Sequence, residues 1–313
     1  MSDTTLESAL SFISDIIPKY PDITDIHTIG SRVVVQTVKG LFQLGYEAEA
    51  SLAARLLKEH GVDFSATAAS RRIRVHISKT VGEQCDLSIR VHPETIRSLE
   101  ECDAESALLD LTKLRAGLIV VAGHTGSRKT TLVGGMIDRI NTNRDALIIT
   151  VEDPVELVHS PKKGIVRHKE IGPFLTWSEA LRDLYRENAD VIVIGETRDY
   201  DAINAALDLA LSGKLVLTTI HASNVEDTIR QFVGRAPADK AAIVANNLAD
   251  ALAAVIVQRM TLGRQFQREY MVLRQQDRDT VRNPQRFKEI KQNLDNFSRT
   301  NTPGYKMFPE ERT

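Results

Sequence analysis

The chain is poor in cysteine, in aromatic side chains and in uncompensated charge. Its two cysteines, Cys85 and Cys102, are too few for a disulfide framework or a four-cysteine zinc site, so both read as structural thiols in a reducing compartment. Forty Lys and Arg face 42 Asp and Glu, a formal net charge of −2. A dedicated nucleic-acid binder would be clearly basic, so no direct nucleic-acid contact is expected. The longest apolar runs, such as Gly117 to Gly123, fall far short of the roughly 20 residues that span a bilayer. The segment Met1 to Glu7 holds two acids and no base, unlike the positive start of a secretory signal. The expected location is therefore cytoplasmic, peripheral to a membrane only through partners.

What is present is ordinary globular composition, 42% apolar and 26% charged over 313 residues, enough for two domains with their own cores. Leu6, Leu10, Ile13 and Ile17 fall at helical spacing, Arg32 to Leu44 reads as two short strands, and Glu47 to His60 reads as a helix stopped by Gly61. The alternating run from Arg71 to Ser78, followed by Cys85 to Val91, predicts an antiparallel hairpin. Ile73, Val75 and Ile77 share one face with Leu87, Ile89 and Val91, so Arg72, Arg74 and Arg90 project from the other. A short helix over Ala104 to Leu114 leads onward. The expected division is an N-terminal α+β domain over 1–103, a linker over 104–116, an α/β domain over 117–262, and a partly mobile C-terminal extension over 263–313.

From Gly117 the pattern becomes buried strands alternating with helices. The strands are Leu118 to Ala122, Ala146 to Val151, Val191 to Ile194 and Leu215 to Ile220. Uninterrupted β-branched runs of this kind belong to parallel sheets covered on both faces. The helices between them run over Lys129 to Ile140, Trp177 to Glu187, Tyr200 to Leu211 and Val225 to Phe232, and an Ala-rich helix is expected over Asp239 to Val257.

Directly after the first of these strands stands Gly123-His124-Thr125-Gly126-Ser127-Arg128-Lys129-Thr130-Thr131. It matches the phosphate loop G-x-x-x-x-G-K-S/T at every defining position but the second glycine, where Arg128 stands. Strand, loop and helix must come in this order, because loop N–H groups and the helix N-terminus together favour an anion. Lys129 is expected at the β- and γ-phosphates of ATP, and Thr130 at Mg²⁺. If the backbone at position 128 needs a positive φ, a side chain there costs of order 1–2 kcal/mol.

Polar residues end the other strands, where ligands of open α/β sheets sit. Glu152-Asp153-Pro154 follows one, Gly195-Glu196-Thr197-Arg198 a second and His221-Ala222-Ser223-Asn224 a third. Singly, Asp153 caps a turn, Glu196 is a loop acid and His221 is a structural histidine. Around one phosphate loop they become an acid to orient water, an acid for the metal shell and a sensor of the γ-phosphate.

At this point the sequence resembles the type II/IV secretion and pilus-motor ATPases, especially their PilT-like and DotB-like branches. Gly123 to Thr131 looks like the family's Walker A loop, Ile149 to Glu156 like its Asp box, Asp190 to Asp199 like its Walker B segment, and Ser212 to His221 like its His box. The resemblance implies an N-terminal PAS-like domain followed by a RecA-like P-loop ATPase domain. It implies Glu152 as general base, Glu196 as the Walker B acid, His221 as γ-phosphate sensor, and Arg74 and Arg90 as arginine fingers; without a partner, these two arginines read as a solvated basic strand face. It further implies ATP and Mg²⁺, a homo-oligomer that is a hexamer, and docking on an inner-membrane platform protein. The family's Ala-Ile-Arg-Asn-Leu-Ile-Arg-Glu and Cys-x-x-Cys motifs are both absent, so motifs assign neither retraction nor assembly. Arg128 leaves open a catalytically impaired scaffold of the same fold. A small-molecule phosphotransferase would need an acceptor pocket, and only the loop Pro161 to Gly164 offers a place for one.

Overall fold

The structure, a computed structural model, describes residues 11–47, 52–80, 85–172, 174–261, 265–299 and 304–307. The chain divides into two units, residues 1–95 with 154–158, and residues 96–153 with 159–313. The start of the first expected helix and the closing residues of the chain lie outside the described residues.

In the first unit α1 (Ser11–Ile16) and α2 (Leu52–His60) accompany β1 (Ile23–Ile29), β2 (Arg32–Thr37), β3 (Gly40–Glu47), β4 (Asp63–Ala68), β5 (Arg71–Lys79) and β6 (Cys85–Val91). The strands form one antiparallel sheet in the order β3-β2-β1-β6-β5-β4. Alternation decides its faces. Ile73, Val75, Ile77, Leu87, Ile89 and Val91 are buried with Ile13, Ile16 and Leu56, and Arg74 lies directly across from Arg90 on the other face. β1 was not anticipated, and the reason is local. A register shift between Ile23 and Asp25 places the buried Ile23 and Ile26 three residues apart, which breaks the two-residue period.

The same unit carries a titration. His92 is buried beside Arg90, Arg72 and Arg74; burial, then those guanidinium charges, lowers its pKa to about 4. The native imidazole stays neutral while the unfolded one protonates below 6.5, so stability is full above pH 6.5 and falls as pH drops towards 4. The expected loss by pH 4 is about 3 kcal/mol. Thermal melting of the full chain between pH 7 and 4 checks this against His92→Gln, which should remove that part of the acid sensitivity.

The second unit opens with α3 (Ser106–Leu111), β7 (Gly117–Ala122), α4 (Lys129–Asn143), β8 (Leu147–Glu152) and β9 (Ile165–Glu170). It continues with α5 (Trp177–Leu184), β10 (Val191–Ile194), α6 (Tyr200–Leu211), β11 (Leu215–Ile220), α7 (Val225–Gly234) and α8 (Ala241–Ala251). β12 (Leu252–Met260), β13 (Phe266–Val272), α9 (Gln275–Arg282), α10 (Phe287–Arg299) and β14 (Tyr305–Lys306) complete it. The sheet order is β14-β13-β12-β7-β11-β10-β8-β9, parallel from β12 to β9 and antiparallel at β13 and β14. Alternate residues of one strand feed two cores. Leu118, Val120 and Ala122 pack with α5 to α8, whereas Ile119 and Val121 pack with Leu132, Met136 and Ile140 of α4.

One helix expectation is corrected. The run from Asp239 to Val257 is helical only to Ala251, after which Leu252 turns to extended backbone (ψ 121°) and β12 pairs with β7 and β13. Nothing in the Ala-rich sequence breaks the helix, and a strand buried on both faces has no period of its own to announce it. The strand β9 was also missed, because an edge strand with a mostly polar sequence needs no buried alternation.

Candidate active site

The loop after β7 is shaped by three positions at positive φ, one of which has no room for a side chain. Gly123 sits at φ +150°, and a Cβ there would stand 2.4 Å from the Gln258 carbonyl oxygen and 2.5 Å from Ser127 Oγ. Gly126 sits at φ +79°. The third special position is Arg128, which caps α4 in the left-handed region at φ 62°, ψ 40°. The family glycine it replaces takes that conformation freely; an arginine does not. Thr125 is exposed, and Thr130 and Thr131, in the first turn of α4, are half-buried.

Loop polarity suits an anion. Ser127 Oγ is buried with no hydrogen-bond partner among the described residues. Lys129 Nζ donates to the carbonyls of Gly123 (2.8 Å) and His124 (3.3 Å), which keeps the ammonium on the loop itself. Together with the helix N-terminus, these groups fit a phosphate chain.

Strand order gathers the remaining candidates. β11, β10 and β8 follow β7 side by side, so His221, Glu196 and Glu152 stand at the same end of neighbouring strands as the loop. Glu196 Oε2 accepts from Arg198 Nε (3.0 Å), and its Oε1 lies 3.5 Å from His221 Nε2. Arg198 also approaches Asp153, at 4.0 Å. The loops carrying Glu196 and His221 are stitched together by Thr219 Oγ1 donating to the Gly195 carbonyl (2.6 Å) and the Thr197 N–H donating to the Thr219 carbonyl (3.0 Å). Burial, then the Lys129 ammonium, lowers the His221 pKa, with Glu196 pulling the other way.

Glu152 has a neighbour that sequence reading missed. His168 Nδ1 lies 3.5 Å from Glu152 Oε1 and 2.9 Å from Thr150 Oγ1, while its Nε2 receives the His159 N–H at 3.1 Å. A ring nitrogen that accepts a backbone N–H carries no proton, so the ring proton sits on Nδ1, towards Thr150 Oγ1. Its only sequence signal was a histidine in an unrecognised strand.

Arg74 and Arg90 belong to the first unit. Arg74 makes a bidentate pair with Asp63 (3.0 and 2.6 Å), and Arg90 Nε donates to Asp25 Oδ1 at 3.1 Å. Both are substantially exposed, so these pairs hold them weakly.

The family pattern described as type II/IV secretion system protein matches residues 49–298. The chain belongs to that family. The fold agrees, because the solved pilus retraction motor PilT with bound ADP superposes with a TM-score of 0.81 at 29% identity, covering 90% of this chain and 89% of that one. The Legionella pneumophila ATPase DotB shares the fold at TM-score 0.77 and 20% identity, covering 98% of this chain and 94% of its own. The family member's architecture is thus an N-terminal PAS-like α+β domain followed by a RecA-like P-loop domain. Among curated relatives, the YggR protein of Escherichia coli is 34% identical over 67% of this chain and 65% of its own length. The twitching motility protein of Neisseria gonorrhoeae is 37% identical over 64% of this chain and 54% of its own. The chain thus spans about half to two thirds of these two relatives' length.

The left-handed residue yields a prediction. Arg128→Gly removes a backbone cost of about 1–2 kcal/mol and adds up to about 1 kcal/mol of unfolded-chain entropy. The expected result is a melting temperature unchanged or raised by up to about 4 °C, whereas Arg128→Ala gains nothing. Calorimetry of the two variants beside the parent checks it.

Proposed function

We propose that this family member is a Mg²⁺-dependent ATP hydrolase that works as a hexameric motor for a type IV pilus or a type II/IV secretion system, docked on an inner-membrane platform protein. The observation that carries the reading is the phosphate loop between β7 and α4, with Glu152, Glu196 and His221 ending the strands beside it. The solved relative bears the name of a pilus retraction motor and holds ADP, which supports a nucleotide here.

In this reading Lys129 binds the β- and γ-phosphates of ATP, and the loop from Gly123 to Thr131, including Thr125, Gly126, Ser127 and Arg128, cradles the chain of phosphates. Thr130 and Glu196 would hold Mg²⁺, partly through water, and the ion would neutralise charge building up on the phosphoryl oxygens. Glu152 takes a proton from the attacking water as its oxygen bonds to the γ-phosphorus and the bond to the β-phosphate breaks. His221 offers a donor at the γ-phosphate. Arg74 and Arg90 supply positive charge as fingers, which requires them to exchange Asp63 and Asp25 for phosphate.

A second reading, a scaffold with the motor fold and an impaired site, is favoured by the left-handed arginine at 128. Sizing separates the motor reading from a lone binding module. Light scattering of the full chain with Mg²⁺ and a non-hydrolysable ATP analogue should give six times the 34.8 kDa chain mass. A single-chain mass at micromolar concentration would sink the motor reading.

A further inference from the structure

Arg268, on β13, is the largest of the fully buried side chains, at 1% exposure. A guanidinium in that position is costly unless its donors are met. Its Nε donates to Gln258 Oε1 (2.9 Å), its Nη1 to the Asp103 carbonyl (3.0 Å) and to Glu105 (3.4 Å), and its Nη2 to the Cys102 carbonyl (2.5 Å). Arginine has donors only, so the oxygen of the Gln258 amide must face it. That turns the amide nitrogen towards the phosphate loop, where it donates to the carbonyls of Ser127 (2.7 Å) and Arg128 (3.0 Å). The flipped amide would set donor against donor and oxygen against two carbonyls.

The consequence follows from peptide geometry. In a trans peptide the C=O and the next residue's N–H point in opposite directions. Pinning the Ser127 and Arg128 carbonyls on Gln258 therefore aims the N–H groups of Arg128 and Lys129 the other way, out of the loop. The same two carbonyls bracket the left-handed residue at φ 62°.

We propose that Gln258 and Arg268 are positioning residues of the phosphate loop: Arg268 orients the Gln258 amide, and the amide holds two loop peptides in the anion-binding orientation and secures the left-handed turn at Arg128. The pairing compensates for the glycine that this chain lacks. The proposal deepens the phosphate-loop reading above and rests on it for its link to nucleotide.

Gln258→Glu tests it. The carboxylate still accepts from Arg268 and gives the buried guanidinium a counter-charge, but it no longer donates to the loop and repels both carbonyls. If the residue serves packing alone, the substitution is harmless. If it positions the loop, amide hydrogen exchange at Ser127 and Leu132, whose N–H groups donate to the His124 and Arg128 carbonyls, rises about tenfold or more without nucleotide. Affinity for Mg²⁺ with a non-hydrolysable ATP analogue falls about tenfold, the size expected from two lost hydrogen bonds. Melting stays within a few degrees. In an Arg128→Gly background the affinity loss is smaller, because glycine needs no help to hold a positive φ. Gln258→Met, similar in shape and without an amide, gives the same loop readout should the acid fail to fold. Loop exchange and affinity both unchanged in Gln258→Glu would overturn the proposal, and a loss undiminished beside Arg128→Gly would overturn its second half. A parent that binds no nucleotide would refute the site reading instead, with loop exchange alone then deciding the positioning.

Discussion

Lys129→Ala is expected to weaken binding of Mg²⁺ with an ATP analogue by at least about 30-fold, since removing one member of a desolvated charge pair costs about 2–5 kcal/mol. The ammonium already sits on the loop, bonded to the Gly123 and His124 carbonyls, so it is placed before the phosphates arrive. The side chain leaves from the first residue of α4, where alanine is the best helix former, and the fold should survive. Isothermal titration of parent and variant reads the effect directly. Equal affinities would mean that the loop does not hold a phosphate chain, whatever its resemblance.

Glu152→Gln should separate binding from chemistry. The amide keeps the shape of the carboxyl group beside His168, whose Nδ1 stands 3.5 Å away. It takes up no proton from water. Removal of a general base lowers turnover by about 10²–10⁴-fold, so phosphate release should fall into that range while analogue affinity stays within a few-fold of the parent. Glu196→Gln offers a contrast, because Glu196 is tied to Arg198 and His221 and, in the proposed function, would hold the metal. Its loss should depend on Mg²⁺ concentration, and the loss in Glu152→Gln should not. Normal turnover in Glu152→Gln would assign the base to another group.

The sequence made parts of the fold legible and left others hidden, and the reasons are physical. Val191–Ile194 and Leu215–Ile220 were readable to the residue, because strands buried on both faces are short runs of apolar residues bounded by turns. The loop was readable because cradling phosphate with backbone N–H groups restricts residue types at fixed spacing. The cost at Arg128 was also foreseeable, and the structure places it at a positive φ. By contrast, Gln258 and His168 carry no spacing rule. Each reaches the site from a strand the sequence does not announce, Gln258 from β12, whose residues up to Val257 read as helix, and His168 from a polar edge strand. β1 was hidden by its bulge in the same way. Side chains that act through tertiary pairing become visible only once strand order is known.

The most direct test of the account is steady-state phosphate release from ATP by the purified parent chain, with Mg²⁺ and with the metal chelated, beside Glu152→Gln. The account predicts release that requires Mg²⁺ and exceeds the Glu152→Gln rate by at least about 100-fold, which would make Arg128 a tolerated residue in a working site. Release by the parent no faster than by Glu152→Gln, with Arg128→Gly alone restoring it, would contradict the hydrolase reading and leave a motor fold whose site is switched off at one residue.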